Sequence, residues 1–150
     1  MNIQKELQQF LEGETDLRFN NVNVTPETIH AIMINEVVPS YPENDFYGKP
    51  DAAYMRTTIP LFRKAGIEVD SALDILNKRI YITNAVKMPK TEYAVSKESI
   101  EESLPYLERE LALFPNVRVI MLMGDVAKKA FNRVKPKCRC MNFWKSVKFA

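Results

Sequence analysis

The sequence holds only four glycines, two cysteines, one histidine and one tryptophan, and it has no acidic residue after Asp125. Neither G-x-G-x-x-G nor a P-loop occurs, so the common glycine-rich phosphate cradles are excluded. The two cysteines stand together as Cys138-Arg139-Cys140. A lone C-x-C beside a single histidine, His30, lacks the second ligand pair of a structural zinc site, and reduced thiols are expected. The longest strongly apolar run, Val119 to Met123, is far short of the ~20 residues that cross a bilayer. The opening Met1-Asn2-Ile3-Gln4-Lys5-Glu6 has neither the basic nor the apolar region of a signal peptide. These absences predict a protein of the cytosol, without membrane association, metal or other cofactor.

What is present suits one domain over 1–150. Hydrophobic residues make up 46% and charged residues 27%, ordinary values for a globular chain. A chain of 150 residues buries ~68–70% of its unfolded surface. The net charge of +2 conceals an asymmetry. Eight basic residues (Lys128, Lys129, Arg133, Lys135, Lys137, Arg139, Lys145, Lys148) follow Asp125, leaving thirteen basic against nineteen acidic in the first 125 residues. Such a basic tail suits either phosphate contact or a solvated terminus.

Apolar spacing at Ile3, Leu7, Phe10 and Leu11 predicts an opening helix ended by Gly13. Ile29 to Val38 reads as a strand, continuously apolar over Ala31 to Ile34 as buried parallel strands are. A polar, aromatic loop from Pro39 to Pro50 follows. Asp51 to Ala65 reads as a helix closed by Gly66, with a break or kink expected at Pro60. Asp70 is placed to cap a short helix through Leu76. Arg79 to Val86 is a second strand, and Ser96 opens a long helix to Phe114. Val117 to Met123 is a third strand, which Gly124 turns into a helix starting at Asp125. Strands alternating with helices predict an α/β fold, a three-layer α/β/α sandwich around a mostly parallel sheet. Ligands of such folds sit beyond the carboxyl ends of the strands.

Those ends carry motifs in a telling order. Ile82-Thr83-Asn84-Ala85-Val86-Lys87-Met88-Pro89 resembles the T-N-x-V-K-x-x-P stretch of the iron–sulfur (family 4 type) uracil-DNA glycosylases. Glu101 to Leu107 is similar to their E-x-x-C-x-P-Y-L helix start with adjusted spacing, and Val119 to Ala127 to their strand ending L-G-x-x-A. Glu36 to Gly48, with Lys49-Pro50, resembles G-E-x-P-G…E-D…G-R-P with one extra residue before the proline. The resemblance is strongest over 29–132 and leaves 133–150 as a divergent basic tail.

This likeness implies a hydrolase of DNA repair that flips uracil out of DNA and breaks its N-glycosidic bond. An Asn carboxamide offers one acceptor and two donors. Facing uracil it accepts from N3–H and donates to O4, a pattern that cytosine reverses; the resemblance gives this role to Asn84. Read alone, Asn84 equally suits a strand terminator bonded to nearby backbone. Bond cleavage also needs a group that positions water. The first loop supplies it in this family, which nominates Glu43, with Asp45 and Glu36 as alternatives. Phe46 or Tyr47 is the candidate to stack on the base, although either suits a core ring. Pro39 and Lys87 complete the expected substrate wall, and uracil-containing DNA is the expected partner.

Two features depart from the family. Met88 and Ser103 stand where its internal cluster cysteines fall, and neither side chain replaces a thiolate, so no iron–sulfur cluster is expected. Nothing after Asn132 resembles the family's H-P-S or H-P-T loop, so the C-terminal part reads as truncated or divergent. A sheet edge bared by a missing last strand would need covering by the tail or by a partner chain. Two other readings stay open: a catalytically silent relative that binds nucleic acid or a nucleobase, and an unrelated α/β nucleotide-binding module.

Overall fold

Three apolar segments form the centre of the molecule because each can bury both faces at once. In the computed structural model, which describes residues 1–89 and 94–134, these are β1 (Ala31–Val37), β2 (Ile80–Val86) and β3 (Val119–Leu122). They pair in parallel in the order β2-β1-β3, with Ile32 opposite Tyr81 and Ile120, and Asn35 opposite Asn84.

Side chains alternate across the sheet. Ile32, Ile34, Tyr81, Ala85 and Ile120 enter one core with Leu107 and Leu111 of α4 (Lys97–Ala112) and Ala127, Ala130 and Phe131 of α5 (Asp125–Val134). Ile3 and Leu7 of α1 (Ile3–Gln8) close that layer. Met33 and Ile82 enter the opposite core with Met55 and Phe62 of α2 (Ala53–Lys64) and Ile75 of α3 (Ala72–Asn77). The result is the three-layer α/β/α arrangement expected of crossover connections between parallel strands.

Local chemistry adjusts several expected boundaries. α1 ends at Gln8, well before Gly13; Phe10 instead lies outside it, with the Arg109 guanidinium carbon 3.7 Å from its ring centre. The cap of α3 is Ser71 rather than Asp70: its hydroxyl accepts from the Asp74 N–H at 3.1 Å, while the Asp70 carboxylate pairs with Arg63. α2 runs unbroken through Pro60, because both Pro60 and Arg56 lie on its exposed side, where water can take the carbonyl freed by the missing N–H. Among the described residues no helix is long and apolar enough to cross a membrane.

The β3–α5 junction ties the third strand to the first. Gly124 has φ +109°, and a Cβ there would come within 2.6 Å of the Glu36 carboxyl carbon. Glu36, at the end of β1, accepts from the Val126 N–H at 3.1 Å and so caps α5, placing a carboxylate at the positive end of the helix. Gly124→Ala is expected to lower stability by about 1–3 kcal/mol, through the disfavoured backbone and the lost cap. Urea unfolding followed by circular dichroism measures it, and an unchanged midpoint would refute the account.

Candidate active site

Beyond the strand ends, the loop from Pro39 to Pro50 folds back over β2. A short turn at Pro42–Asn44 reverses the chain, and the loop is held from outside by Arg18, whose Nη1 donates to the carbonyls of Pro39 (3.0 Å) and Ser40 (2.9 Å). Gly48 has to be glycine here, since a Cβ would sit 2.4 Å from the Pro42 carbonyl oxygen. The loop and the segment around Arg18 and Asn20 enclose a cleft of about 520 Å³, lined among others by Pro39, Glu43, Asp45 and Tyr47.

Asp45 connects this cleft to the strand behind it. Its Oδ1 accepts from the Phe46 N–H and from Asn84 Nδ2, both at 2.9 Å. Burial raises its carboxyl above the usual carboxylate range; the Phe46 and Asn84 hydrogen bonds oppose that shift without cancelling it. Asn84 lies within β2, 1% exposed, and its Oδ1 is buried with no hydrogen-bond partner among the described residues. The Nδ2 of its register partner Asn35 is buried and unpartnered in the same way. Such orphans cost about 1–3 kcal/mol each, which marks these strand positions as ones the fold alone does not explain.

On the other face of β2 the Lys87, Glu110, Thr83 and Tyr81 side chains are paired with one another. Lys87 Nζ donates to Glu110 Oε1 at 2.6 Å and to Thr83 Oγ1 at 2.8 Å, and both charged side chains have exposures of at most 2%. Glu110 also accepts from the Tyr81 hydroxyl (2.7 Å) and the Thr83 hydroxyl (2.9 Å). Asn20 Nδ2 donates to the Tyr81 hydroxyl at 2.8 Å and to the Ile82 carbonyl at 3.0 Å. Burial, and next the Glu110 charge, push the Tyr81 phenol well above its ordinary range, so it stays a neutral donor.

The expected site residues therefore divide. Asn84, Asp45, Pro39, Tyr47 and Glu43 gather at or directly behind the cleft, with Glu43 exposed at its rim. Glu36 instead caps α5, and Lys87 turns its ammonium to the far face of the sheet. Phe46 packs in the core, 3% exposed and edge-on to Tyr54 with ring centres 5.3 Å apart. Tyr47 stacks on Tyr81 (6.0 Å, 12°), and its hydroxyl accepts from the Ile82 N–H at 3.0 Å. Asn35 was expected only as one of the polar positions at the end of the first strand, and Asn20 and Glu110 were not foreseen. Of the latter two only Glu110 left a trace, as an acid among Leu107, Leu111 and Phe114 on the buried side of α4.

A model of the uracil DNA glycosylase superfamily matches residues 19–147. The chain belongs to that superfamily. The match takes in the Arg18-adjacent segment through Asn20, the loop, all three strands and α5. A comparison with curated proteins gives no match. The cluster that family 4 resemblance would bring does not fit here. Ser103 Oγ accepts from the Lys87 N–H (2.8 Å) and donates to the Ser99 carbonyl (2.7 Å), while Met88 offers only a thioether. Cys138 and Cys140 lie outside the described residues, as does most of the basic tail.

The buried pair gives a direct test. Lys87→Met leaves the Glu110 carboxylate without its cation, and Glu110→Gln leaves the ammonium without its anion. Each is expected to cost about 3–5 kcal/mol in urea unfolding, with the double variant recovering part of the loss. Additive losses would show that the two charges do not act as a pair.

Proposed function

We propose that this superfamily member hydrolyses the N-glycosidic bond of uracil flipped out of DNA. The observation that carries the reading is Asn84, a buried amide whose acceptor oxygen has no partner among the described residues, held behind the cleft by Asp45. Uracil presents N3–H to such an oxygen, whereas cytosine presents a bare N3 lone pair and is repelled. A base inside the fold is out of its stack, and DNA reaches the cleft by its phosphates; the exposed Lys128 and Lys129 of α5 are available cations.

In the reaction, the bond from C1′ to uracil N1 breaks and its electron pair leaves with the base. Water adds to C1′ and gives up a proton. Asp45 is better placed than Glu43 or Glu36 to hold that water. It lines the cleft and touches the base-reading residue, and among the described residues its hydrogen bonds fall on Oδ1 and not on Oδ2. Asn84, next to the leaving uracil, stabilises the charge that develops there. Tyr47, Pro39 and the exposed Glu43 shape the walls.

Asn84→Ala is expected to cut release of uracil from single- and double-stranded substrate by at least about 10²-fold. A parent protein that releases none sinks the enzymatic reading, and salt-sensitive DNA binding without release would instead identify a silent relative.

Asp45→Asn separates catalysis from folding. Because burial raises the carboxyl in the folded state, folding favours its protonated form. That stabilising contribution is present at low pH and is lost as pH rises through the raised value. The variant, neutral at every pH, is expected to melt higher than the parent at pH 7 while releasing uracil about 10²–10⁴-fold more slowly. In the parent, the rate should fall on the acid side at a higher pH than an ordinary carboxylate would give. A variant equal to the parent in rate would remove Asp45 from the chemistry.

A further inference from the structure

Asn84 Nδ2 gives one of its two hydrogens to Asp45 Oδ1 at 2.9 Å, while its Oδ1 has no partner among the described residues. A donor atom with no partner at all among those residues lies on the neighbouring strand. Asn35 is the register partner of Asn84 across the parallel β1–β2 pair, where strands run about 4.8 Å apart. Asn35 stands two residues after Met33, and Asn84 two after Ile82; Met33 and Ile82 share the core beneath α2, so both amides belong to that face of the sheet. The Asn35 Nδ2 is buried and unpartnered. A partnerless donor and a partnerless acceptor thus stand side by side without bonding each other.

We infer that Asn35 is a specificity-determining residue: its Nδ2 donates to a carbonyl of the bound base while Asn84 Oδ1 accepts from the adjacent ring N–H. The ligand chemistry is an imide edge, C=O beside N–H, which uracil carries on either side of N3. On the C4 side cytosine sets an acceptor at N3 and an amino donor at C4 against both amides; on the C2 side it keeps the carbonyl but still turns a bare N3 lone pair to Asn84 Oδ1. Two side chains on two hydrogen-bonded strands set the donor and the acceptor beside one another, and Asp45 of the loop holds the second of them. Position 35 also departs from the family pattern, where the residue before the glutamate of G-E-x-P-G is glycine and carries no side chain. This inference rests on the uracil-reading role of Asn84 and extends it.

The test is equilibrium binding of free uracil and free cytosine to the 150-residue chain, followed by ligand-observed NMR, with uracil release measured in parallel. The parent is expected to prefer uracil. Asn35→Ala should weaken uracil about tenfold, the equivalent of one hydrogen bond, and so narrow the preference for uracil over cytosine. Asn35→Asp, nearly the same shape, should weaken uracil further than Ala does, because it sets an acceptor against the carbonyl. A purely structural role predicts the reverse order, with Asp closer to the parent than Ala, and thermal melting of each variant separates that case. If the parent binds and releases uracil but Asn35→Ala does so equally well, the inference fails while the reading of Asn84 stands. A parent that neither binds nor releases uracil overturns both.

Discussion

The cleft depends on a carboxylate it never meets. Glu110, fully buried on α4, receives hydrogen bonds from Lys87, Thr83 and Tyr81, three residues of one stretch of chain in and just after β2. Fixing Thr83 on one face of a strand fixes Asn84 on the other, because successive side chains point in opposite directions. A one-residue slip of β2 would bring Asn84 to the carboxylate and remove Thr83 from it. The ionic network on the far face therefore acts as a register lock for the Asn84 amide. Buried ion pairs are weak sources of stability, but they discriminate strongly between one arrangement and the next.

Across the sheet the logic is opposite. Glu110 is surrounded by donors, whereas Asn84, Asn35 and Asp45 are left partly unanswered: two orphaned amide atoms and a carboxyl raised by burial. A fold selected only for stability would fill these positions with apolar residues or pair them. The contrast within a single strand, complete satisfaction on one face and deliberate deficit on the other, is how a site is distinguished from a core that contains polar groups.

Much of the scaffold was legible in the sequence. The apolar runs at Ala31–Ile34 and Val119–Met123 have no reading other than buried strands, and Gly124 marks the turn into α5. Asn84 was singled out through its neighbours Val86, Lys87 and Pro89, and it lies buried in β2 against Asp45. Roles in the loop from Pro39 to Pro50 were not, since a stretch without a period gives no signal that sends Phe46 inward and leaves Glu43 outside. Lys87 read as a substrate contact because nothing near it in the chain announces a partner 23 residues away on a helix. Glu36 read as an acid of the loop, while its real neighbour, the start of α5, is 90 residues distant. Long-range pairing is the part a single chain read in order cannot display.

The outer edge of β2 carries one more consequence. At Ile82 the N–H donates to the Tyr47 hydroxyl and the carbonyl accepts from Asn20, so the middle of that edge is already closed by side chains. A foreign strand arriving there finds no continuous ladder to pair with. The sheet thus has a direction of growth: strands can be added beyond β3 but not beyond β2. The closure that shapes the cleft wall also protects this edge from self-association.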